Sequence, residues 1–397
     1  MNHNLKNNFI FTSEAVSEAH PDKFCDQIAD KILTFCLKKD PNAHVACEVF
    51  ATDSKLIIGG EFCLNFKLQK KTIKHLVFKV IKDIKIKVKF KIMIFIQSQS
   101  IEIKNAVDFD KTKKNIGAGD QGIMFGYAIK NNFNYMPPTL LVANEALFLA
   151  SKLRKEKKVP FLLADMKSQV TMEFNYLKQP IAIKKFLLSI QHPKNYDQNI
   201  IKNYVIKNII DVIAKKYNFD SNFEKIINPT KDFSIGGTSA DSGLTGRKIV
   251  VDNYGGFAPC GGGSFSGKDY TKVDRSIAYM CRYVAKNLVA ANICKEILIQ
   301  VSYIIGQNKP SSYFVNTFNS SQYSNKVIVE FLKKNLIFDF NLSSVIKNLN
   351  LKKTNYYLSS IYNPFCNLKS KDFSWEQTNK VALIKNYFKN ESFKNEK

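Results

Sequence analysis

Arginine is scarce in a chain that is otherwise strongly basic. Only four of the 59 Lys and Arg residues are Arg (Arg154, Arg247, Arg275 and Arg282), against 34 Asp and Glu, for a net charge of +25. Proteins that read bases or clamp a nucleic-acid backbone lean on the bidentate guanidinium fork. Here Lys, Asn, Ile and Phe are over-used together and the lysines run through the whole chain, which reads as compositional drift rather than a polyanion-binding face. Paired cysteines are missing too. Cys25, Cys36, Cys47, Cys63, Cys260, Cys281, Cys294 and Cys366 show no CxxC spacing, which argues against a zinc ribbon or a disulfide framework and for free thiols in a reducing compartment. No apolar run approaches the roughly 18 residues of a membrane span, and MNHNLKNNFIFTSEAVSEAH has no signal-peptide core. A soluble cytoplasmic protein is expected, with neither nucleic acid nor membrane as partner.

What is present is a globular composition, 45% hydrophobic and 23% charged, over 397 residues. At roughly 150 residues per domain that length implies two or three domains. Ile28, Ala29, Ile32, Leu33 and Cys36 recur at helical spacing over 26–38. Segments 44–50 and 55–62 flank Thr52-Asp53-Ser54 as a hairpin, and 67–97 reads as a helix followed by a strand. The polar stretch 107–115 reads as a mobile loop or boundary. A second block carries helices near 143–155 and 199–216 and a strand at 168–174. A third begins near 228 in Gly-rich chain and enters a long helix over 273–293, with Thr271 and Asp274 as a capping box. Strands are expected at 296–304 and 313–318, and a polar tail after Lys385. Three blocks that mix strands and helices argue for α+β.

Acidic residues and glycines gather in a few islands. Ser17-Glu18-Ala19-His20-Pro21-Asp22-Lys23 precedes the first helix. It reads first as a helix start, with Pro and Asp in the first turn, and alternatively as an imidazole, a carboxylate and an ammonium at an anion-favouring helix end. Gly117-Ala118-Gly119-Asp120-Gln121-Gly122 satisfies GxGxxG, but a strand-like run follows it where the dinucleotide fingerprint needs a helix. Gly262 through Lys268 matches GxxxxGK, yet Asp269 stands where a P-loop needs a hydroxyl for Mg²⁺. Together the islands supply Lys167, Arg247, Lys248 and Lys268 as cations, with Asp22, Asp241 and Asp274 as polar or metal ligands. That inventory can hold a polyphosphate with Mg²⁺.

FTSEAVSEAHPDK, GAGDQGIMFGYA, DMKSQVT, SGLTGRKIVVDNYGG and GGGSFSGKDYTKVDRSIAYMCRYVAKN resemble the S-adenosylmethionine synthetase family, in order and spacing, from Phe9 to Trp375. The resemblance implies three similar α+β domains, at 9–106, 107–235 and 236–385, with 386–397 as tail. It implies a homodimer, or a dimer of dimers, with active sites at the interface. The reaction it implies joins ATP and L-methionine: the methionine sulfur displaces tripolyphosphate from C5′, and the tripolyphosphate is then hydrolysed. By resemblance His20 assists leaving-group departure, and Lys167, Arg247, Lys248 and Lys268 bind phosphate. Asp22 and Asp274 match two Mg²⁺-associated carboxylates, and Glu48 the carboxylate of a K⁺ site. Glu61, Gln99, Asp241 and Lys272 match methionine contacts, with Asp241 also near ATP. Asp165, Met166, Asp232, Phe233 and Ser264 fall on ATP-binding positions, and 99–109 on a loop that covers the site. Ala19 replaces a usual Gly, Asp232 a usual Arg, Cys260 a frequent His and Ile101 a usual Pro, so a degenerate paralogue or a tripolyphosphatase is the alternative.

Overall fold

A computed structural model describes residues 7–98, 116–157, 159–366, 368 and 373–395. Gln99, Ile101 and the stretches 99–109 and 107–115 singled out above lie outside these residues. The first part of the chain runs β1 (Phe9–Val16), α1 (Pro21–Lys39), β2 (His44–Thr52), β3 (Lys55–Cys63), α2 (Lys70–Ile84) and β4 (Lys91–Ser98). The next runs β5 (Gly122–Ile129), α3 (Pro138–Lys155), β6 (Met166–Phe174), β7 (Pro180–Ile190), α4 (Gln198–Val205), α5 (Asp211–Lys216) and β8 (Glu224–Ile227). The last begins with β9 (Gly243–Leu244), α6 (Ile249–Asp252), α7 (Val273–Ala290), β10 (Glu296–Tyr303) and β11 (Ser312–Asn316). It closes with α8 (Asn325–Lys333), α9 (Leu342–Asn348), α10 (Tyr356–Ile361) and α11 (Val381–Asn395). The architecture is α+β.

Among the described residues three sheets form, in the orders β1-β6-β7-β8, β4-β3-β2-β9 and β11-β10-β5. None is made from one stretch of chain. β1 pairs with β6, setting Val16 opposite Lys167; β5 pairs with β10; and the two residues of β9 pair with β2. These exchanges place the site. β6 alternates so that Met166, Ser168, Val170, Met172 and Phe174 are buried while Lys167 and Gln169 are exposed. The end of β1 therefore delivers the segment 17–22 beside exposed Lys167, and β9 delivers 243–248 beside α1.

Three local expectations change. The N-cap of α7 is Lys272 and carries no side-chain cap; Thr271 instead bonds Asp269, through both its amide and its hydroxyl at 2.7 Å. The helix expected over 199–216 contains a π turn at Ile206–Ile210 between α4 and α5. Helix α11 covers Val381–Asn395, against the polar tail expected after Lys385, and buried Phe388 packs 5.0 Å from Phe331 ring to ring. Its composition is polar, but one apolar stripe suffices to seat a helix. Among the described residues no helix is long and apolar enough to cross a membrane.

Buried charge ties α7 to the segment after it. Glu376 accepts from Arg282 Nε at 2.8 Å and from Lys286 Nζ at 2.7 Å, with the Arg282 and Glu376 side chains fully buried. Removing one member of such a set leaves buried charge uncompensated. Glu376→Ala should cost about 3–5 kcal/mol of stability by denaturant unfolding, whereas a cost under about 1 kcal/mol would show that water reaches the site.

Candidate active site

Pro21 occupies the first turn of α1, and His20 is its N-cap, accepting the Asp22 amide on Nδ1 at 3.2 Å. The helix-start reading of this island is met, with His20 as cap and Pro21 and Asp22 in the first turn. With Nδ1 accepting, the ring proton sits on Nε2, which is left as a donor. His20 is buried, and its pKa is lowered to about 3, first by burial and then by Lys248 and Lys167, which outweigh Asp22 and Asp241. The imidazole is neutral at physiological pH. Asp22 is also buried, and burial alone would raise its pKa. The hydrogen bonds from Lys248 and the Leu244 amide overcome that and hold the carboxyl below its ordinary range. Asp22 Oδ2 receives Lys248 Nζ at 2.8 Å, Oδ1 receives the Leu244 amide at 3.0 Å, and Arg247 Nε stands 3.6 Å away.

The same helix carries two further carboxylates at four-residue intervals, so all three share a face. Asp26 Oδ1 accepts the Gly246 amide at 2.9 Å, and Asp30 Oδ1 accepts the Gly267 amide at 2.8 Å. Both are fully buried. Arg275 from α7 forks onto Asp30 with two 2.7 Å contacts, and buried Lys23 bridges Asp26 at 3.2 Å to Asp252 at 2.8 Å. Gly246 (φ 81°) and Gly267 (φ 79°) take left-handed conformations, and a Cβ on Gly267 would come within 2.0 Å of the Cys47 carbonyl. The glycines of TGRK and SGKD thus let their amides reach α1, and the cations that follow them are aimed as a consequence.

A second cluster forms around the start of α7. Lys268 Nζ lies 2.6 Å from Asp274 Oδ2, and Lys272 Nζ lies 2.6 Å from Asp269, which also accepts the Val45 amide at 2.6 Å. Glu48, on the exposed face of β2, feels Lys268, Asp26 and Glu61. Its side chain meets solvent in the single chain, yet enough protein surrounds it that desolvation pushes its carboxyl up to about 7 despite Lys268. Among the described residues no hydrogen bond or ion pair joins the Asp22–Lys248 cluster directly to the Lys268–Asp274 cluster.

The remaining sequence candidates divide. Asp165 is buried, its pKa raised by burial, and accepts the Gly237 amide at 2.8 Å; exposed Asp241 is near enough to act on the charge of both Asp165 and His20. Ser264 lies beside Gly246, where a Cβ would come within 2.6 Å of its Oγ. The Phe233 amide bonds His192 Nε2 at 3.0 Å. Met166, by contrast, is fully buried and its amide is held by Ser17 Oγ at 2.9 Å, so its side chain belongs to the core and not to the cluster. Exposed Asp232 accepts the Ser234 amide at 3.0 Å and makes no ion pair among the described residues. Ala19 does not take a positive φ, so it can replace glycine without strain. Sequence reasoning missed Asp26, Asp30 and Arg275; the signal was Asp22, Asp26 and Asp30 at one helical period.

The described residues thus form a three-sheet α+β chain with paired carboxylates and cations gathered at the starts of α1 and α7. Models of the N-terminal, central and C-terminal domains of S-adenosylmethionine synthetase match residues 8–109, 115–233 and 235–377. S-adenosylmethionine synthase of Mycoplasma capricolum is 46% identical over 98% of this chain and all of its own length. The Mesoplasma florum enzyme of that name is 45% identical over 95% of this chain and 99% of its own, and a Helicobacter pylori one 40% over 97% and all of its own. The chain belongs to the S-adenosylmethionine synthetase family.

If Asp26 positions the segment 243–248, Asp26→Ala should weaken tripolyphosphate binding about tenfold by calorimetry, the cost of one lost buried hydrogen bond. Asp26→Asn retains an acceptor for the Gly246 amide and should keep most of the affinity. Equal affinity in wild type and Asp26→Ala would remove the positioning role.

Proposed function

We propose that this chain makes S-adenosylmethionine from ATP and L-methionine by attack of the methionine sulfur on ATP C5′, and then splits the tripolyphosphate into pyrophosphate and phosphate. The observation that carries the reading is the neutral, buried His20 capping α1 beside anionic Asp22, in a chain similar over its full length to synthases of that name. A thioether is a weak nucleophile. The barrier must therefore fall through alignment of the sulfur and through stabilisation of the departing polyphosphate.

His20 supplies the Nε2 proton as a hydrogen bond to the oxygen that leaves C5′. Being neutral, the ring need not shed a proton or a counter-ion to do so. Lys167, Arg247, Lys248 and Lys268 balance the phosphate charge, and the column on α1 fixes the loops that carry three of them. Asp165, Phe233 and Ser264 border the nucleotide, and the exposed acidic turn at Asp232 makes at most a backbone contact. Glu61, Asp241 and Lys272 meet methionine; an ammonium has three donors, so Lys272 can stay on Asp269 and still receive a carboxylate.

Mg²⁺ and K⁺ fit the donors present. Among the described residues no group of three or more His, Cys, Asp or Glu could cage a metal. Mg²⁺ bound through one carboxylate and substrate phosphates needs no such cage, and Asp22 and Asp274 each offer one carboxylate with a lysine already on it. When bound, Mg²⁺ neutralises charge on the phosphate oxygens. Glu48, pushed up by desolvation, gains most from a monovalent cation beside it.

We also assign the protein to a homodimer in a reducing cytoplasm. All eight cysteines are free. Each sheet leaves large apolar residues exposed, Ile10 on β1, Phe95 on β4 and Phe314 on β11, as an isologous interface would require. The two clusters around α1 and α7 would then be completed across such an interface.

Incubating the protein with ATP, methionine, Mg²⁺ and K⁺ should yield S-adenosylmethionine; tripolyphosphate hydrolysis without that product would mark a degenerate enzyme. His20→Asn should lower kcat by about 10²-fold or more with little change in KM, since the bond strengthens only in the transition state. An unchanged kcat would return His20 to a helix cap. Glu48→Gln should abolish stimulation by K⁺ while leaving the Mg²⁺ requirement intact, and persistent stimulation would place the K⁺ elsewhere.

A further inference from the structure

Away from the phosphate cations lies a cavity of about 690 Å³, bounded by the start of α1, the loop between α2 and β4, the segment between α3 and β6, and residues 236–239. Its size falls among small-molecule sites, which are mostly apolar with a few polar groups. Phe24, Ile86, Val88, Phe90, Leu162 and Leu163 form apolar walls. Lys167, Arg247, Lys248 and Lys268 take no part in it, and of the candidate active-site residues Asp165 alone contributes.

The exposed charge on its lining is all basic. Lys85, Lys87 and Lys157 are exposed and line the cavity. Lys85 Nζ is held by the Lys155 carbonyl at 2.6 Å, while among the described residues no ion pair engages Lys87 or Lys157. The wall is also under-satisfied. Buried Asp165 Oδ1 and Arg154 Nε have no hydrogen-bond partner among the described residues. A ligand group that reaches either one gains a bond the empty protein lacks.

We propose that this cavity binds a small amphiphilic acid: an apolar body against Phe24, Phe90 and Leu163, an anionic group at Lys87 and Lys157, and a hydrogen-bond donor directed toward Asp165. The apolar walls exclude a bare inorganic anion or a sugar phosphate as the preferred occupant, because such ligands leave those walls uncovered. The lysines favour an acid over a neutral or cationic molecule of the same shape. The cavity holds none of the phosphate cations, but through Asp165 it abuts the position proposed above for the nucleotide, and Ala19 in its wall adjoins His20 in the chain.

Anilinonaphthalene sulfonate carries all three features: fused rings, an anilino N–H and a sulfonate. Its fluorescence on titration into the full chain should rise saturably and persist under excess tripolyphosphate. Leu163→Trp, which fills the cavity, should weaken the probe at least about tenfold, a loss expected when apolar burial of this extent is blocked. Because Leu163→Trp could disturb folding, circular dichroism and the melting temperature are read alongside. The surface double variant Lys87→Glu/Lys157→Glu should weaken the probe by about tenfold at low salt, as two reversed charges would, and less at high salt. Displacement of the probe by tripolyphosphate would put it on the phosphate cations and overturn the proposal. So would an affinity unchanged in the double-charge variant.

Discussion

Three buried carboxylates on α1, Asp22, Asp26 and Asp30, hold two glycine-containing loops from a distant part of the chain. Each accepts a backbone amide, and each has a cation against it: Lys248 on Asp22, Lys23 on Asp26 and Arg275 on Asp30. Buried carboxylates survive only when their lone pairs and charge are met in this way. Because their partners are loop amides, satisfying the carboxylates also fixes where Arg247, Lys248 and Lys268 emerge. The constraint that stabilises the helix is the constraint that arranges the site.

The ion pairs at the edge of this framework are of another kind. Lys268 and Asp274 are each about one-fifth exposed, and Arg247 is about half exposed. Water screens such pairs, so they add little to folding and are free to exchange partners. A polyphosphate with Mg²⁺ can enter by letting lysine move from carboxylate to phosphate, charge for charge. Lys23 with Asp252 and Arg275 with Asp30 have no such freedom, being almost wholly buried. Rigid pairs lie behind the site and exchangeable pairs line it, which is the division that preorganised binding requires.

Periodicity made much of the fold legible. The hairpin around Asp53, the helix of α2 followed by β4, and the long helix α7 all carry clear apolar spacing. Local rules failed where a neighbour competed: Thr271 and Asp274 look like a capping box, but Asp269, two residues before Thr271, takes the hydroxyl. The strand exchanges were not legible, because Phe9 pairs with Phe174 across most of the intervening domain and no local pattern records a partner that far away. At the site, motif residues such as His20, Asp22 and Lys268 could be read directly. Met166 and Lys167 are neighbours in one motif, yet alternation along β6 sends their side chains to opposite faces, that of Met166 into the core. Asp26 and Asp30 escaped notice because a buried carboxylate on a helix has no motif of its own.

Hydrogen exchange on the ligand-free protein, read by mass spectrometry over peptides covering 243–248 and 264–268, tests the preorganisation most directly. Apart from the two residues of β9, both segments are irregular loops that would ordinarily exchange quickly. The amides of Leu244, Gly246 and Gly267 should instead exchange slowly, and protection of Gly246 should vanish in Asp26→Ala while that of Gly267 remains. Rapid exchange throughout both loops, becoming slow only when ATP and Mg²⁺ are added, would mean that substrate rather than α1 organises the site.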